Sequence, residues 1–370
     1  MGCGHTPLCL AAAGQSAASV RALLAGGAVV DVSGEEAMTP LLLAAEKGSP
    51  DVVKALLRAV PPPNVAAVNA RTHTALMLSL QNVPRVTHLL LAAGADVDVR
   101  MNCGWTAVML AAQEGRIPHL RALLDAHPAV NVVAPDGWTA LLLAVESKVA
   151  PPTVVRLLLG AGADVTGAGG RVPPLYAAAE VGTADVVAAL LTAHAPLEAT
   201  AADGSTAALI AAQDGHTATL RLLLAAGANP NAARTDDGNT GLHLAVLCDH
   251  HGVVAALLER GASPGVRNAA GVPALHMAAE RPTPTAAVAL LGAGAPVGAL
   301  APDGSTALHL AAAAGEAATV DVLLAAGAVA GVADAAGSTP LLEAAEEGHA
   351  AATERLLRET TDVGGAAATA

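Results

Sequence analysis

Residues Asp303–Ala312 read DGSTALHLAA. Asp-Gly is a turn signal, and the hydroxyl of Thr306 is suited to accept a bond from an orphan N–H at the start of a helix. The apolar run after it then begins a short helix. Working outward, the same segment returns as HTPLCLAA, MTPLLLAA, HTALMLSL, WTAVMLAA, WTALLLAV, VPPLYAAA, STAALIAA, NTGLHLAV, VPALHMAA, STALHLAA and STPLLEAA. Its second letter falls at Thr6, Thr39, Thr74, Thr106, Thr139, Pro173, Thr206, Thr240, Pro273, Thr306 and Thr339. Eleven copies at intervals of 32 to 35 residues are a repeat array.

Each copy carries a second helical signal. A Leu-Leu pair follows the motif at a fixed distance, as at Leu23 and Leu24, Leu123 and Leu124, or Leu323 and Leu324. Pro50, Pro84, Pro118, Pro152 and Pro284 mark second-helix starts, where a missing N–H costs nothing. Gly94, Gly261 and Gly327 follow the leucines, where glycine takes the left-handed conformation that ends a helix.

The pattern resembles the ankyrin repeat, with DGSTALHLAA as its best single match. The resemblance implies an all-α ankyrin-repeat solenoid of helix-turn-helix units joined by hairpin loops, with a concave face. It covers residues 1–358, about eleven repeats with the first truncated, and leaves 359–370 as a disordered tail. Stability should come from interfaces between neighbours, since one unit is too small to fold alone. The resemblance also implies that His243, His276 and His309 support loop geometry by hydrogen bonding. Two joints depart from the pattern. Copy two ends in Pro61, Pro62 and Pro63, and copy six has Pro173 after GAGGR.

Composition agrees with thin layers of small residues. Of 370 residues 53% are apolar, yet there is no Phe, one Tyr and two Trp. The charge-free stretch from Pro282 to Pro302 is long enough to span a bilayer. Its four prolines and three glycines, and its register with charged copies of the same unit, exclude that reading. No basic n-region with a following apolar core is present at Met1, so no secretory signal is expected. A net charge of −13 with scattered Lys and Arg argues against nucleic acid as a partner. The four cysteines form no CxxC pair, which suggests free thiols in a reducing compartment.

No nucleophile elbow, P-loop or HExxH motif occurs, so no enzyme activity, catalytic residue or cofactor is expected. Cys248, Asp249, His250 and His251 are the one local cluster of metal-ligand types, but adjacent ligands wrap an ion poorly and no metal is expected. The opening MGCGHT satisfies M-G-x-x-x-[ST], with Gly2 open to myristoylation and Cys3 to palmitoylation. Thr6 and Pro7 already have a role in the repeat.

The expected function is a monomeric protein-binding scaffold or adaptor, cytoplasmic or nuclear. Two alternatives stand beside it: an acylated, membrane-tethered adaptor, and an isolated ankyrin region of a larger ubiquitin-ligase receptor or channel. By the resemblance, the residue before each motif Thr or Pro faces the concave side, and bulky ones gather in the N-terminal half. Trp105 and Trp138 occupy adjacent copies and should stand about 10 Å apart, the usual spacing of packed helices. With Met38, His73, Arg100, Met101, Asn102, Gln113, Glu114 and Glu146 they form an aromatic centre and polar rim for a partner protein. A structural role for the tryptophans, packed on the next hairpin, weighs equally.

Overall fold

The computed structural model describes residues 6–167, 169 and 171–367. Among them are 22 α-helices, one short 3-10 turn and no strand. The helices form eleven pairs, one pair per sequence copy, and these are called repeats 1 to 11.

In nine of the eleven repeats the first helix begins where the sequence places it because the motif Thr caps it; repeats 6 and 9 have Pro173 and Pro273 there. Thr6, Thr39, Thr74, Thr106, Thr139, Thr206 and Thr339 each accept a bond from the backbone N–H three residues on. In repeats 8 and 10 the histidine at N3 returns the favour. Nδ1 of His243 accepts from the Thr240 N–H at 3.2 Å, and Nδ1 of His309 from that of Thr306 at 3.0 Å. Their Nε2 atoms are therefore the protonated ones, and they donate to the carbonyls of Val272 and Ser338 in the next hairpin. His276 makes the same outward bond, to Ser305. Its Nδ1 is left without a partner because Pro273 has neither N–H nor hydroxyl to offer.

Contacts divide the chain into two compact units, residues 1–174 with 192–194, and residues 175–191 with 195–370. In the first unit the inner helices are Pro7–Ala13, Pro40–Glu46, Ala75–Ser79, Ala107–Gln113 and Ala140–Glu146. The outer helices are Ala17–Ala25, Pro50–Leu57, Pro84–Ala92, Ile117–Asp125 and Pro152–Gly160. Inner packs on inner, outer on outer, and each inner helix on its own outer partner. The core is the seam between the two layers. Leu56, Leu90, Leu120, Leu123 and Leu158 are fully buried, and each such side chain contributes about 1.5–3 kcal/mol.

The second unit repeats the scheme. Its inner helices include Ala207–Gln213, Gly241–Leu247, Ala274–Ala279, Ala307–Ala313 and Pro340–Glu346, with outer helices Thr217–Ala225, His251–Glu259, Thr285–Gly292 and Ala317–Ala325. Thr285–Gly292, cut from the charge-free stretch, is one ordinary outer helix, and no helix of the described residues is long and apolar enough to cross a membrane. The last helix, Ala350–Ala367, runs on past Arg358, where the sequence reading ends the array. Seven of the other outer helices are followed by a glycine three residues after the Leu-Leu pair, as at Gly261 and Gly327. Thr360 stands at that place after Leu356 and Leu357.

Candidate functional site

Between repeats the chain makes a tight hairpin, closed by a bond to the carbonyl of the residue just before the motif Thr. Met101 N–H donates to Trp105 and Ala134 N–H to Trp138, both at 2.9 Å. Successive hairpins are also tied together, as Ala70 N–H to Glu36 and Arg171 N–H to Gly137. The hairpin tips and the exposed edge of the inner helices therefore form one continuous bonded surface in repeats 2 to 5.

Two joined grooves mark this surface. One of about 410 Å³ is lined by Met38, Leu43 and Leu78, with Glu35, Glu36, Glu46, Arg71 and His73 around it. The other, about 220 Å³, is lined by Met77, Leu78, Leu80 and Leu110, with Gln81 and Glu114 at its edge. His73 and Leu78 belong to both. Burial and the neighbouring Arg71 push the His73 imidazole below its ordinary range, so it is neutral at pH 7. The rim of the second groove is pre-ordered. Glu114 accepts from Gln81 Nε2 at 2.6 Å and from Arg116 Nε at 3.1 Å, while Arg116 also donates to Gln81 Oε1 at 3.1 Å.

The sequence-derived residues fall into three groups. His73 and Glu114 line the grooves, and Met38 does so from beneath: it is only 8% exposed, with its sulfur accepting from Asn69 Nδ2, so it forms floor rather than a free contact. Arg100, Met101, Asn102 and Trp105 share the third hairpin; Arg100 and Asn102 are exposed, and the Asn102 N–H is held by Thr72 Oγ1 at 2.8 Å. Gln113 is exposed at the end of its inner helix, its carbonyl accepting from Ser147 Oγ, and Glu146 is half-buried one repeat on. Trp138 is half-buried, and its ring carries the guanidinium of Arg171 from the next hairpin at 4.7 Å. Gly2 and Cys3 lie outside the described residues.

Leu43, Leu78 and Leu110 are absent from the sequence-derived set. All stand four residues after the motif Thr; Leu43, at 7% exposure, is floor like Met38, whereas Leu78 and Leu110 are half-buried. Leu10, at the same place in repeat 1, is 53% exposed. Read as a run of apolar letters they look like core, and only their register against the cap separates them.

Around Cys248 the side chains have other uses. The His250 ring sits over Gly215, where a Cβ would collide with it, and His251 reaches Asp249 at 3.5 Å and Thr283 at 3.3 Å. No three metal-ligating side chains cluster among the described residues. In the second unit Arg234 organises an acidic hairpin, lying 3.7 to 4.0 Å from Asp203, Asp236 and Asp237 and donating to Gln213. Ser205 donates from both backbone and hydroxyl to Asp203, and those two bonds hold its carboxyl below the usual carboxylate range.

No curated protein matches the chain. The sequence model of the family described as ankyrin repeats (3 copies) matches residues 1–68, 73–167, 175–268 and 275–365, nearly the whole length. With the capped helix pairs, the hairpins and the bridging histidines already in place, the chain belongs to the ankyrin-repeat proteins.

Proposed function

We propose that this protein is a binding scaffold that receives a partner protein on the hairpin and inner-helix surface of repeats 2 to 5. Ankyrin repeats are in general protein–protein interaction modules. The observation that carries the site is the joined groove over repeats 2 to 4, whose leucine and methionine floor is ringed by carboxylates, an arginine and a neutral histidine. An apolar centre inside a polar rim is the composition of a binding hot spot. Trp105 stands one hairpin beyond the groove, half-exposed, as an anchor for the same partner.

The test is a comparison of captured proteins. Affinity purification from the native source, with the wild-type chain beside Leu78→Arg and Trp105→Ala, identifies a protein retained by the first and lost by the others. Trp105→Ala should weaken that complex by about 2 kcal/mol or more, with little change in thermal unfolding. A partner held equally well by all three chains refutes the site.

A further inference from the structure

Charge is unevenly placed along this chain. Residues 1–174 contain 12 Lys and Arg against 12 Asp and Glu, whereas residues 175–370 contain 7 against 20 and so hold the entire net charge of −13. Within the neutral first unit the signs are segregated. Most carboxylates lie on hairpins and at inner-helix ends, as Asp31, Glu35, Glu36, Asp96, Asp98 and Asp136 do. The outer helices carry five cations, Arg21, Lys54, Arg85, Arg121 and Arg156, against two acids, Asp51 and Asp125.

One position of the outer helix is cationic in type in all five repeats of this unit. It stands two residues before the first leucine of the Leu-Leu pair, and it holds Arg21, Lys54, His88, Arg121 and Arg156. All five side chains are exposed, and among the described residues none of the four Arg and Lys makes an ion pair. In the second unit the same register reads Ala188, Arg221, Ala255, Val288, Asp321 and Glu354, with Arg221 already paired to Glu259. Consecutive outer helices of the first unit pack side by side, so the row rises about 10 Å per repeat, the usual separation of packed helices.

Two hollows open along the row. Arg21, Lys54 and Arg58 surround Leu24 and Ala55 in one of about 540 Å³. Arg121, Arg156 and His127 surround Leu124 and Leu157 in another of about 550 Å³. Each also includes one acid, Asp51 and Asp125. A nucleic-acid backbone, with its dense and continuous charge, would be repelled by those acids. Separate carboxylates spaced to match the cations would not.

We propose that the outer-helix row of repeats 1 to 5 is a second docking surface, on the side opposite the groove, for an extended acidic polypeptide. An extended chain advances about 3.3 Å per residue, so the step of the row corresponds to a carboxylate at roughly every third position, with small apolar residues between to fill the hollows.

Two synthetic peptides of identical composition test this, one with Glu at every third position and one with the same glutamates in a single block, each measured by fluorescence anisotropy against the full chain. The spaced peptide should bind, and Arg121→Glu with Arg156→Glu should weaken it tenfold or more. Charge reversal at Arg100 and Lys148, exposed elsewhere in the same unit, should leave it unchanged. If the reversed chain does not fold, Arg121→Gln with Arg156→Gln replaces it, with a smaller loss expected. Equal affinity for the blocked peptide, no response to the Arg121 and Arg156 changes, or tighter binding of single-stranded DNA or phosphatidylserine vesicles at the same salt overturns the proposal. Because the groove variants Leu78→Arg and Trp105→Ala should not affect this peptide, the two surfaces stand or fall separately.

Discussion

The guanidinium carbon of Arg171 lies 4.7 Å from the centre of the Trp138 ring. The two residues belong to consecutive hairpins, so the stack is a tie between neighbouring repeats. Such a contact is worth about 0.5–1 kcal/mol at a partly exposed site. Arg171→Ala should therefore lower unfolding stability by about that amount, and Trp138→Ala by more, since it also removes a half-buried ring. A double-mutant cycle in chemical denaturation measures the coupling; additive losses would mean that the stack contributes nothing.

Stability should fall in mild acid. Burial holds the imidazoles of His243 and His276 below the ordinary value of 6.5, and His119 is shifted the same way, first by its burial and then by the nearby Arg116. Below pH 6.5 the unfolded chain takes up protons that the folded chain does not. The stability present above pH 6.5 is then lost as the pH drops toward the folded values. The carboxyls of Asp203 and Asp303 are lowered from 3.8 and act only in a more acidic window. The melting temperature should decline between pH 7 and 5.5, less so in His276→Gln. A flat profile over that range would show that these histidines do not set acid stability.

Repeat 3 contains a buried polar pair. Ser79 Oγ lies 2.8 Å from Thr87 Oγ1 and donates to the Leu76 carbonyl at 2.7 Å, with both side chains fully buried. The other copies place alanine at the first position and mostly aliphatic residues at the second. Ser79→Ala alone strands the Thr87 hydroxyl and should cost about 1–3 kcal/mol. Adding Thr87→Val should recover most of it, because removing both partners leaves nothing unsatisfied. Equilibrium urea unfolding of the two variants checks this, and an equal loss in both would assign the cost to packing instead.

Amide exchange should reveal the two irregular joints. Val60 is 97% exposed beside Pro61–Pro63, and among the described residues of 167–174 the backbone bond to a neighbouring repeat is that of Arg171 to Gly137. In a stack stabilised by nearest neighbours, such places open at lower cost than the rest. Amides there should exchange before those of the inner helices of repeats 4 and 10. Uniform protection through both segments would count against weak joints.

The register of the motif Thr, the Leu-Leu pairs and the closing glycines were enough to define the helix pairs, because cap, core and stop are local requirements that one residue type satisfies best. The role of His243, His276 and His309 came from the ankyrin resemblance, and all three make the bond to the next hairpin. Other properties needed the tertiary structure. Whether Leu78 is core or groove depends on which neighbouring helix covers it, and Met38 is withdrawn from the surface by Asn69 of the following hairpin. Trp138 acquires a cation from a residue 33 positions later that no motif marks. Scattered Lys and Arg become a row only when outer helices stack, since side-by-side packing brings together residues one repeat apart. Sequence alone determined the unit and its period, whereas the faces that meet a partner were decided by how each unit lies against the next.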